Sequence, residues 1–255
     1  MPTARKYARI PIRIFFSNKL TNKGDLMDKN VLIIIPAYNE SENIERVVDN
    51  LIGNFPQYDY IVVNDGSRDN TAQICRDKGY NLLDLPINLG LSGGVQAGFK
   101  YGYFNDYKYV IQFDGDGQHR PEYIEKLLEA METENVDIAI GSRFVDKPKP
   151  KTLRMAGNNI IELLIRLTTG KTIKDPTSGM RMFNRKMMES FVYKMNYGPE
   201  PDTVSYLIRK GATVKEIQVE MDERTAGESY LNLKRSIQYM FKMCMSILFI
   251  QWFRG

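Results

Sequence analysis

The chain has 255 residues, of which 43% are hydrophobic and 26% are charged, and this ordinary globular composition argues against a disordered protein. With 35 Lys and Arg against 31 Asp and Glu, the net charge of +4 is too small to indicate a nucleic-acid-binding protein. The single histidine excludes a metal site built from several histidines, and the two distant cysteines exclude a disulfide framework and favour a reducing, cytoplasmic setting.

The N-terminal residues 1–29 form a basic segment that is distinct from the rest of the chain. Its apolar residues are too scattered to form the hydrophobic part of a secretory signal. We interpret this segment as an N-terminal extension that is either loosely ordered or a basic arm on anionic lipid. The domain that follows is predicted to span residues 30–235.

From residue 30 onwards, short apolar runs alternate with segments of helical periodicity. The first run, 31–35, is apolar at every position, as expected for a strand buried on both faces, and Pro36 is predicted to end it. The alternation predicts an α/β protein with a mostly parallel, doubly wound sheet. The predicted strands are 31–35, 60–63, 82–85, 109–113 and 136–140, and the predicted helices are 42–51, 69–74, 93–104 and 122–131.

The C-terminal residues 236–255 are strongly apolar, but Lys242 and Gln251 interrupt the roughly 20 apolar residues that a membrane-spanning helix needs. An amphipathic helix that lies in the membrane surface fits this pattern. A helix that packs on the domain, or that forms one side of a contact between two copies of the chain, fits it equally well. The sequence therefore predicts a C-terminal helix and leaves its partner open.

Polar segments follow four of the predicted strands, at 36–40, 64–69, 88–90 and 114–119. In a doubly wound sheet, ligands bind beyond the carboxyl ends of the strands, so these segments are expected to share one rim. Acidic groups dominate it, which favours a divalent cation and a phosphate-bearing ligand. The first strand is followed by neither Gly-x-Gly-x-x-Gly nor a Walker loop, which argues against a dinucleotide-binding dehydrogenase and a P-loop NTPase.

Asp114 and Asp116 flank a glycine at the end of the predicted strand 109–113. Alternate residues of an extended chain point the same way, so both carboxylates are expected to face one site. Neighbouring carboxylates repel unless a proton or cation separates them, and Mg²⁺ and Mn²⁺ prefer oxygen ligands. Asp-Gly-Asp-Gly is also typical of a turn. Gln118 and His119 are close enough to join the metal shell or contact phosphates. Stabilisation of the turn is the alternative role for His119, and its place beside Asp116 favours the phosphate contact.

Seven short motifs stand out along the chain. They are Pro36-Ala37-Tyr38-Asn39-Glu40, Asn64-Asp65-Gly66-Ser67-Arg68-Asp69-Asn70-Thr71, Asn88-Leu89-Gly90, Asp114-Gly115-Asp116, Gly141-Ser142-Arg143, Asp175-Pro176-Thr177-Ser178-Gly179-Met180-Arg181 and Arg224-Thr225-Ala226-Gly227-Glu228-Ser229. In this order they resemble family 2 glycosyltransferases, and most closely the branch of dolichol-phosphate mannose synthase and bacterial polyprenyl-phosphate sugar transferases. Each motif alone is weakly specific, but the ordered set is highly specific.

The resemblance implies a GT-A fold, a nucleoside-diphosphate-sugar donor, a Mg²⁺ or Mn²⁺ cofactor and inversion at the anomeric carbon. A cation and arginines suit such a donor because they stabilise the charge of the leaving diphosphate. The implied metal ligands are Asp114, Asp116 and Gln118. The implied nucleotide-sugar contacts are Pro36, Ala37, Tyr38 and Glu40 at the nucleoside, Asp65 at the base, Asn88, Asp114, Gly115 and Asp116, and Arg143 and Arg224 at the phosphates.

Two positions concern the acceptor. Members of the lipid-phosphate branch usually have Lys after the Ser of an Arg-x-x-Gly-x-Ser motif, where this chain has Tyr230, and this departure argues against a phosphate acceptor. A hydroxyl acceptor needs a general base, whereas a phosphate acceptor is already anionic. Asp202, at the head of the predicted helix 203–209, is the candidate catalytic base, and Glu200 is the nearby alternative. Asp202 is also typical of a helix N-cap.

These patterns predict an inverting glycosyltransferase that uses a UDP- or dTDP-type donor and a membrane-linked glycan acceptor in bacterial surface polysaccharide or glycolipid synthesis. Transfer to a polyprenyl phosphate is the alternative acceptor, and a non-catalytic nucleotide-sugar-binding subunit is the alternative from another class. A sugar nucleotidyltransferase would need a basic Gly-rich loop, which residues 36–40 lack. The expected location is the cytoplasmic face of the membrane, with peripheral contact through the C-terminal helix, no nucleic-acid partner and the oligomeric state left open.

Overall fold

The computed structural model describes residues 13–15, 30–222 and 233–253 of the chain, and within them the strands form one sheet. The strands are β1 (Arg13–Phe15), β2 (Val31–Ala37), β3 (Asp59–Asp65), β4 (Leu82–Leu85), β5 (Tyr109–Gln112), β6 (Ile138–Ser142), β7 (Arg181–Asn184) and β8 (Val214–Gln218). Their order in the sheet is β1-β4-β3-β2-β5-β7-β6-β8. Only β1 and β7 of these run antiparallel to their neighbours, so the predicted mostly parallel sheet is confirmed.

The helices cover both faces of this sheet, and every helix that the sequence predicts is present with its ends shifted by a few residues. They are α1 (Ile44–Asn54), α2 (Thr71–Asp77), α3 (Gly90–Phe104), α4 (Ile124–Thr133), α5 (Leu153–Thr169), α6 (Arg185–Tyr193), α7 (Pro201–Arg209) and α8 (Leu233–Leu248). Short 3₁₀ turns precede α4 and follow α8.

Strand β2 shows how the core forms on both sides of the sheet. Leu32 and Ile34 pack with residues of α3, α5, α6 and α8, whereas Ile33 and Ile35 pack with residues of α1 and α4 on the opposite face. This alternation is the period of two expected of a strand, and it explains the continuous apolar run. The prediction that Pro36 ends the strand is wrong, because β2 continues through it to Ala37. A missing N–H is tolerated there because a strand's last residues have few ladder bonds to lose.

The C-terminal helix α8 packs on the domain. Met243 and Ile247 are buried in the same cluster as the core residues of α3 and α5, and α8 contacts both α5 and α7. The other side of α8 leaves Ile237 and Phe241 exposed. In the described parts of the chain, no helix combines the length and the apolar character needed to cross a membrane.

Candidate active site

The carboxyl ends of the parallel strands meet at one edge of the sheet, and the antiparallel strand β7 begins there. Arg181, the first residue of β7, pairs with Gln112 at the end of β5 and with Ile140 in β6. The loop that precedes β7 therefore lies beside the loops that follow β5 and β6. This edge is where the sequence places the ligand site, and it collects chain segments that are up to about 140 residues apart.

The loops after β2 and β3 are joined by hydrogen bonds. The backbone N–H of Asn39 donates to Ser67 Oγ at 3.0 Å, and the Asn39 side chain accepts from the backbone N–H of Arg68 at 2.9 Å. The backbone N–H of Glu40 donates to Thr71 Oγ1 at 2.9 Å. These bonds fix the segment that carries the predicted nucleoside contacts Pro36, Ala37, Tyr38 and Glu40.

Asp65, at the end of β3, is buried and holds the loop that follows β4. Its carboxylate accepts from the backbone N–H of Leu89 at 2.7 Å, and burial raises its pKa above the ordinary value. The Asn88 amide donates to the Asp65 carbonyl oxygen at 3.1 Å. Gly66 has φ +63°, and an added Cβ would lie 2.6 Å from the backbone nitrogen of Asn88. Only glycine allows this close approach of the two backbone segments. The nucleotide contacts expected of Asp65 and Asn88 stay predictions.

His119 holds the turn that follows β5. Its Nδ1 accepts from the backbone N–H of Asp114 at 2.9 Å, which places the imidazole proton on Nε2, 3.5 Å from Asp114 Oδ2. The ring is buried and packs edge-on against Phe113 with a centroid distance of 5.3 Å. The structure therefore favours the turn-stabilising alternative for His119.

The two carboxylates of this turn differ in exposure. The Asp114 side chain is 34% exposed, whereas Asp116 is buried and accepts from the backbone N–H of Gln118 at 3.0 Å. Gly115 lies against the end of β2, because an added Cβ would be 3.2 Å from the carbonyl oxygen of Pro36. The turn therefore lies beside the predicted nucleoside loop, as a site for both halves of a nucleotide requires.

The side chain of Gln118, the third predicted metal ligand, makes a contact outside the acidic turn. Its side-chain amide nitrogen lies 3.4 Å from the carbonyl oxygen of Asp222, just beyond the end of β8. Within residues 13–15, 30–222 and 233–253, no three His, Cys, Asp or Glu side chains come together as a metal cluster. A cation at this turn would therefore take part of its coordination from a ligand such as a diphosphate.

Arg143, which follows β6, forms a fork-shaped ion pair with Asp175. Its Nε and Nη2 donate to the two carboxylate oxygens at 2.7 and 2.8 Å, and its backbone N–H adds a third bond at 3.1 Å. Burial alone would raise the pKa of Asp175, but the bonds and charge of Arg143 outweigh it and hold that pKa below the ordinary value. The structure shows Arg143 as the partner of a buried carboxylate, and its expected phosphate contact stays a prediction.

Arg181 is a buried cation at this rim that the sequence analysis did not assign. Its Nη2 donates to the carbonyl oxygen of Pro176 at 2.6 Å, and its buried Nε has no hydrogen-bond partner among the described residues. Burial lowers the pKa of Arg181, while the charges of Glu200, Asp175 and Asp114 oppose this. The guanidinium therefore lies among the carboxylates of the site. Its position in the motif 175–181 is the signal that points to it.

Glu200 and Asp202, the two candidate bases, lie at the start of α7. Glu200 is the N-cap residue but makes no side-chain cap bond, and its carboxylate accepts from the Tyr239 hydroxyl at 2.6 Å. Asp202 is 4% exposed and accepts from the Ser246 hydroxyl at 2.5 Å. The sequence allows Asp202 as the N-cap residue of this helix, but in the structure Glu200 occupies the N-cap position. Neither hydroxyl donor has a sequence signal, because both lie on the distant helix α8.

One predicted nucleotide contact, Arg224, lies in a part of the chain that the structure does not describe. The rest of the motif 224–229 and Tyr230 lie outside the described residues as well. The other predicted nucleotide contacts lie in the last residues of β2 and β3 or in the segments after β2, β4, β5 and β6, at the same edge of the sheet.

The sequence matches the family described as Glycosyl transferase family 2 over residues 32–191. It is 29% identical over 228 residues to the polyprenol monophosphomannose synthase of Mycolicibacterium smegmatis, a match that covers 84% of this chain and 86% of that protein. It is 31% identical over 218 residues to the undecaprenyl-phosphate mannosyltransferase of Micrococcus luteus, covering 79% of this chain and 87% of that protein.

The fold is similar to the crystal structure of glucosyl-3-phosphoglycerate synthase from Mycobacterium tuberculosis in complex with Mn²⁺, UDP and phosphoglyceric acid. The TM-score is 0.66 at 16% identity, and the match covers 88% of this chain and 78% of that chain. This likeness confirms the predicted GT-A fold. Since the family match spans more than half of the residues, the chain belongs to glycosyltransferase family 2 and is a glycosyltransferase.

Proposed function

We propose that this protein transfers a sugar from a nucleoside-diphosphate donor to a polyprenyl phosphate. The observation that carries the proposal is the Asp114–Asp116 turn at the end of β5, which lies against the predicted nucleoside loop. The names of the two relatives specify polyprenol or undecaprenyl phosphate, and they favour a lipid phosphate over the glycan acceptor expected first.

A divalent cation, Mg²⁺ or Mn²⁺, fits the donor set of this turn. Asp114 and Asp116 supply oxygen atoms, and Mg²⁺ is commonly held by one or two carboxylates together with substrate phosphates. The partial exposure of Asp114 leaves its carboxylate open to such a ligand. The bound cation would supply electrostatic stabilisation of the nucleoside-diphosphate leaving group.

Gly179 provides a test of this assignment, because it lies directly against Asp114. A Cβ added at Gly179 would lie 2.6 Å from Asp114 Oδ2. The end of a side chain moves more readily than backbone, so Gly179→Ala is expected to displace the carboxylate and leave the fold intact. We expect transfer to fall about a hundredfold, in the range of losing one electrostatic contact to the transition state. Gly53→Ala, at a position with nothing within 4 Å, is the control.

The measurement for this pair of variants is the initial rate at several Mn²⁺ concentrations, together with the melting temperature. If the carboxylate is displaced, Gly179→Ala is expected to have a lower rate, which added Mn²⁺ partly restores. Its melting temperature is expected to be close to that of the wild type. Full activity in Gly179→Ala would show that the position of the Asp114 carboxylate does not matter for transfer.

The other residues of the site would bind the donor and stabilise charge during transfer to the acceptor. The fixed segment 36–40 and Asp65 would bind the nucleoside, and the buried Arg181 adds positive charge where the low dielectric strengthens its effect. An oxygen of the acceptor phosphate forms the new bond to the anomeric carbon. The bond from that carbon to the diphosphate oxygen breaks on the opposite side, so the configuration inverts.

Asp202→Asn distinguishes a phosphate acceptor from a hydroxyl acceptor. A phosphate has no proton to lose, and the asparagine amide oxygen still accepts from Ser246, so the turnover number is expected to stay within about threefold of the wild type. A general base for a hydroxyl would instead give a loss of about a hundredfold or more. Such a loss at an unchanged melting temperature would contradict the phosphate acceptor.

The experiment that tests the proposed function is a transfer assay with a panel of labelled purine and pyrimidine nucleoside-diphosphate sugars. The full chain is incubated with Mn²⁺ and with undecaprenyl phosphate, with undecaprenol or with no lipid. We expect label in the lipid phase with undecaprenyl phosphate alone. Label on undecaprenol would indicate a hydroxyl acceptor. Donor binding without transfer to either lipid would indicate a nucleotide-sugar-binding subunit.

We further propose that the protein contacts the membrane through α8. Packed helices α5 and α8 and the turn after α8 leave many large apolar side chains exposed, which is typical of an interaction surface. The exposed Lys242 in the same stretch suits anionic headgroups. The exposed residues are Leu153, Ile160, Leu163 and Leu167 on α5, Ile237, Phe241, Met245 and Leu248 on α8, and Phe249, Ile250 and Trp252 beyond it.

A vesicle flotation assay tests this contact with two matched variants. Phe241 on α8 is 68% exposed, and Phe104 at the end of α3 is 63% exposed on another part of the surface. Phe241→Glu loses apolar contact and adds a charge that anionic lipid repels, so we expect its vesicle-bound fraction to fall several-fold. Phe104→Glu is expected to bind like the wild type. Equal losses in the two variants, or no binding by the wild type, would contradict a contact through α8.

A further inference from the structure

Helix α8 contributes a hydroxyl group to each of the two carboxylates at the start of α7. Tyr239 donates to Glu200 at 2.6 Å, and Ser246 donates to Asp202 at 2.5 Å. The two donors are seven residues apart, so they lie on one face of α8 two helical turns from each other. The face that reaches the site is therefore a different part of α8 from the exposed Phe241.

The Tyr239 hydroxyl is part of a charged cluster rather than of the apolar core. Arg181, buried at the beginning of β7, lies in the field of Glu200, Tyr239 and Asp114. Burial and the neighbouring Glu200 raise the pKa of Tyr239 well above its ordinary value, so the hydroxyl keeps its proton and donates it. Its hydrogen bond to Glu200 therefore holds that carboxylate in one orientation.

The Glu200 side chain makes its hydrogen bond with Tyr239 and not with the backbone at the start of α7. An N-cap side chain commonly accepts from the first backbone N–H groups of its helix, and that bond is absent at the start of α7. The Glu200 carboxylate is instead turned towards α8. It remains partly exposed, whereas Asp202 is almost completely buried. Glu200 is therefore the more accessible of the two candidate acceptor-side carboxylates.

We propose that Tyr239 is a positioning residue for the acceptor side of the active site, where its hydroxyl fixes the orientation of the Glu200 carboxylate. This inference rests on the proposed transfer to a polyprenyl phosphate. Helix α8 thereby has two roles on two faces: one contacts the membrane that holds the acceptor, and the other shapes the site that receives it.

Tyr239→Phe removes the hydroxyl and keeps the ring, and Tyr107→Phe is a matched control. Tyr107, which is more deeply buried than Tyr239, likewise donates to a carboxylate, that of Asp59 at 2.8 Å, but at the opposite edge of the sheet. We expect Tyr239→Phe to raise the KM for undecaprenyl phosphate about tenfold, the effect of losing one hydrogen bond to a charged group. The KM for the donor is expected to stay unchanged, and Tyr107→Phe is expected to change neither value.

Hydrogen exchange measured by mass spectrometry gives a second readout that needs no activity. We expect the peptide 198–205 to exchange faster in Tyr239→Phe than in the wild type, and to be unchanged in Tyr107→Phe. Unchanged exchange in Tyr239→Phe would overturn the inference whether or not the wild type transfers sugar. An active wild type with equal acceptor KM in both variants would overturn it as well. A wild type without transfer, but with the expected exchange, would instead contradict the proposed function.

Discussion

Replacing Asp114 with Asn is expected to reduce sugar transfer about a thousandfold without a large loss of stability. The substitution removes one of the two carboxylates proposed to hold the cation, and losing one such electrostatic contact costs about two to three orders of magnitude. The Asp114 side chain is one-third exposed, and the bond that holds its turn is made by its backbone N–H. The fold therefore does not depend on the carboxylate charge.

The measurement is the steady-state rate as a function of Mn²⁺ concentration, with Asp106→Asn as the control. Asp106 forms an exposed ion pair with Arg185 away from the rim, so its loss is expected to leave the rate within about twofold, because such pairs contribute little. A rate for Asp114→Asn above a tenth of the wild-type value, with the same Mn²⁺ dependence, would show that this carboxylate is not a metal ligand.

The largest effect on stability is expected from Arg143→Met. Asp175 is completely buried and takes two bonds from the Arg143 side chain, so the substitution leaves a buried carboxylate without its charged partner. Breaking a buried pair in this way costs about 3 kcal/mol or more. We expect the melting temperature to fall by about 10 °C, scaled for a protein of this size. The double variant Arg143→Met with Asp175→Asn is expected to recover part of this loss.

The pH dependence of the same variant follows from the lowered pKa of Asp175 in the folded protein. Because this pKa lies below that of an unfolded carboxyl, about 3.9, the pair stabilises the fold above that value and loses its effect as the pH falls through the lower one. In Arg143→Met, protonation of Asp175 removes the cost of burying its unpaired charge. The difference in melting temperature between wild type and variant is therefore expected to be largest near neutral pH and to shrink below about pH 4. A constant difference would contradict the ion-pair explanation.

The sequence predicts the parts of this protein that depend on local patterns. The continuous apolar run 31–35 alternates between two core clusters, and this is the reason that a buried parallel strand is recognisable without a structure. The acidic turn at Asp114 follows its strand directly, so the rule that ligands bind at the carboxyl ends of strands is enough to locate it.

The remaining features depend on contacts between distant segments. Strand β7 inserts antiparallel between β5 and β6, and this pairing, which sequence periodicity does not predict, brings its first residue, Arg181, to the rim. The pairing of Arg143 with Asp175 joins positions 32 residues apart, so an arginine expected at phosphates is also a structural partner. The hydroxyls of Tyr239 and Ser246 reach α7 from a helix whose apolar pattern indicates only packing or a membrane.

The most direct test of the proposed mechanism is a crystal of the full chain grown with Mn²⁺ and a nucleoside diphosphate. An anomalous difference map is expected to show one manganese peak bonded to the carboxylates of Asp114 and Asp116 and to the diphosphate oxygens, with the nucleoside beside segment 36–40. A nucleotide bound elsewhere, or manganese absent from a turn whose two carboxylates face away from the diphosphate, would contradict the assignment of this edge of the sheet as the donor site.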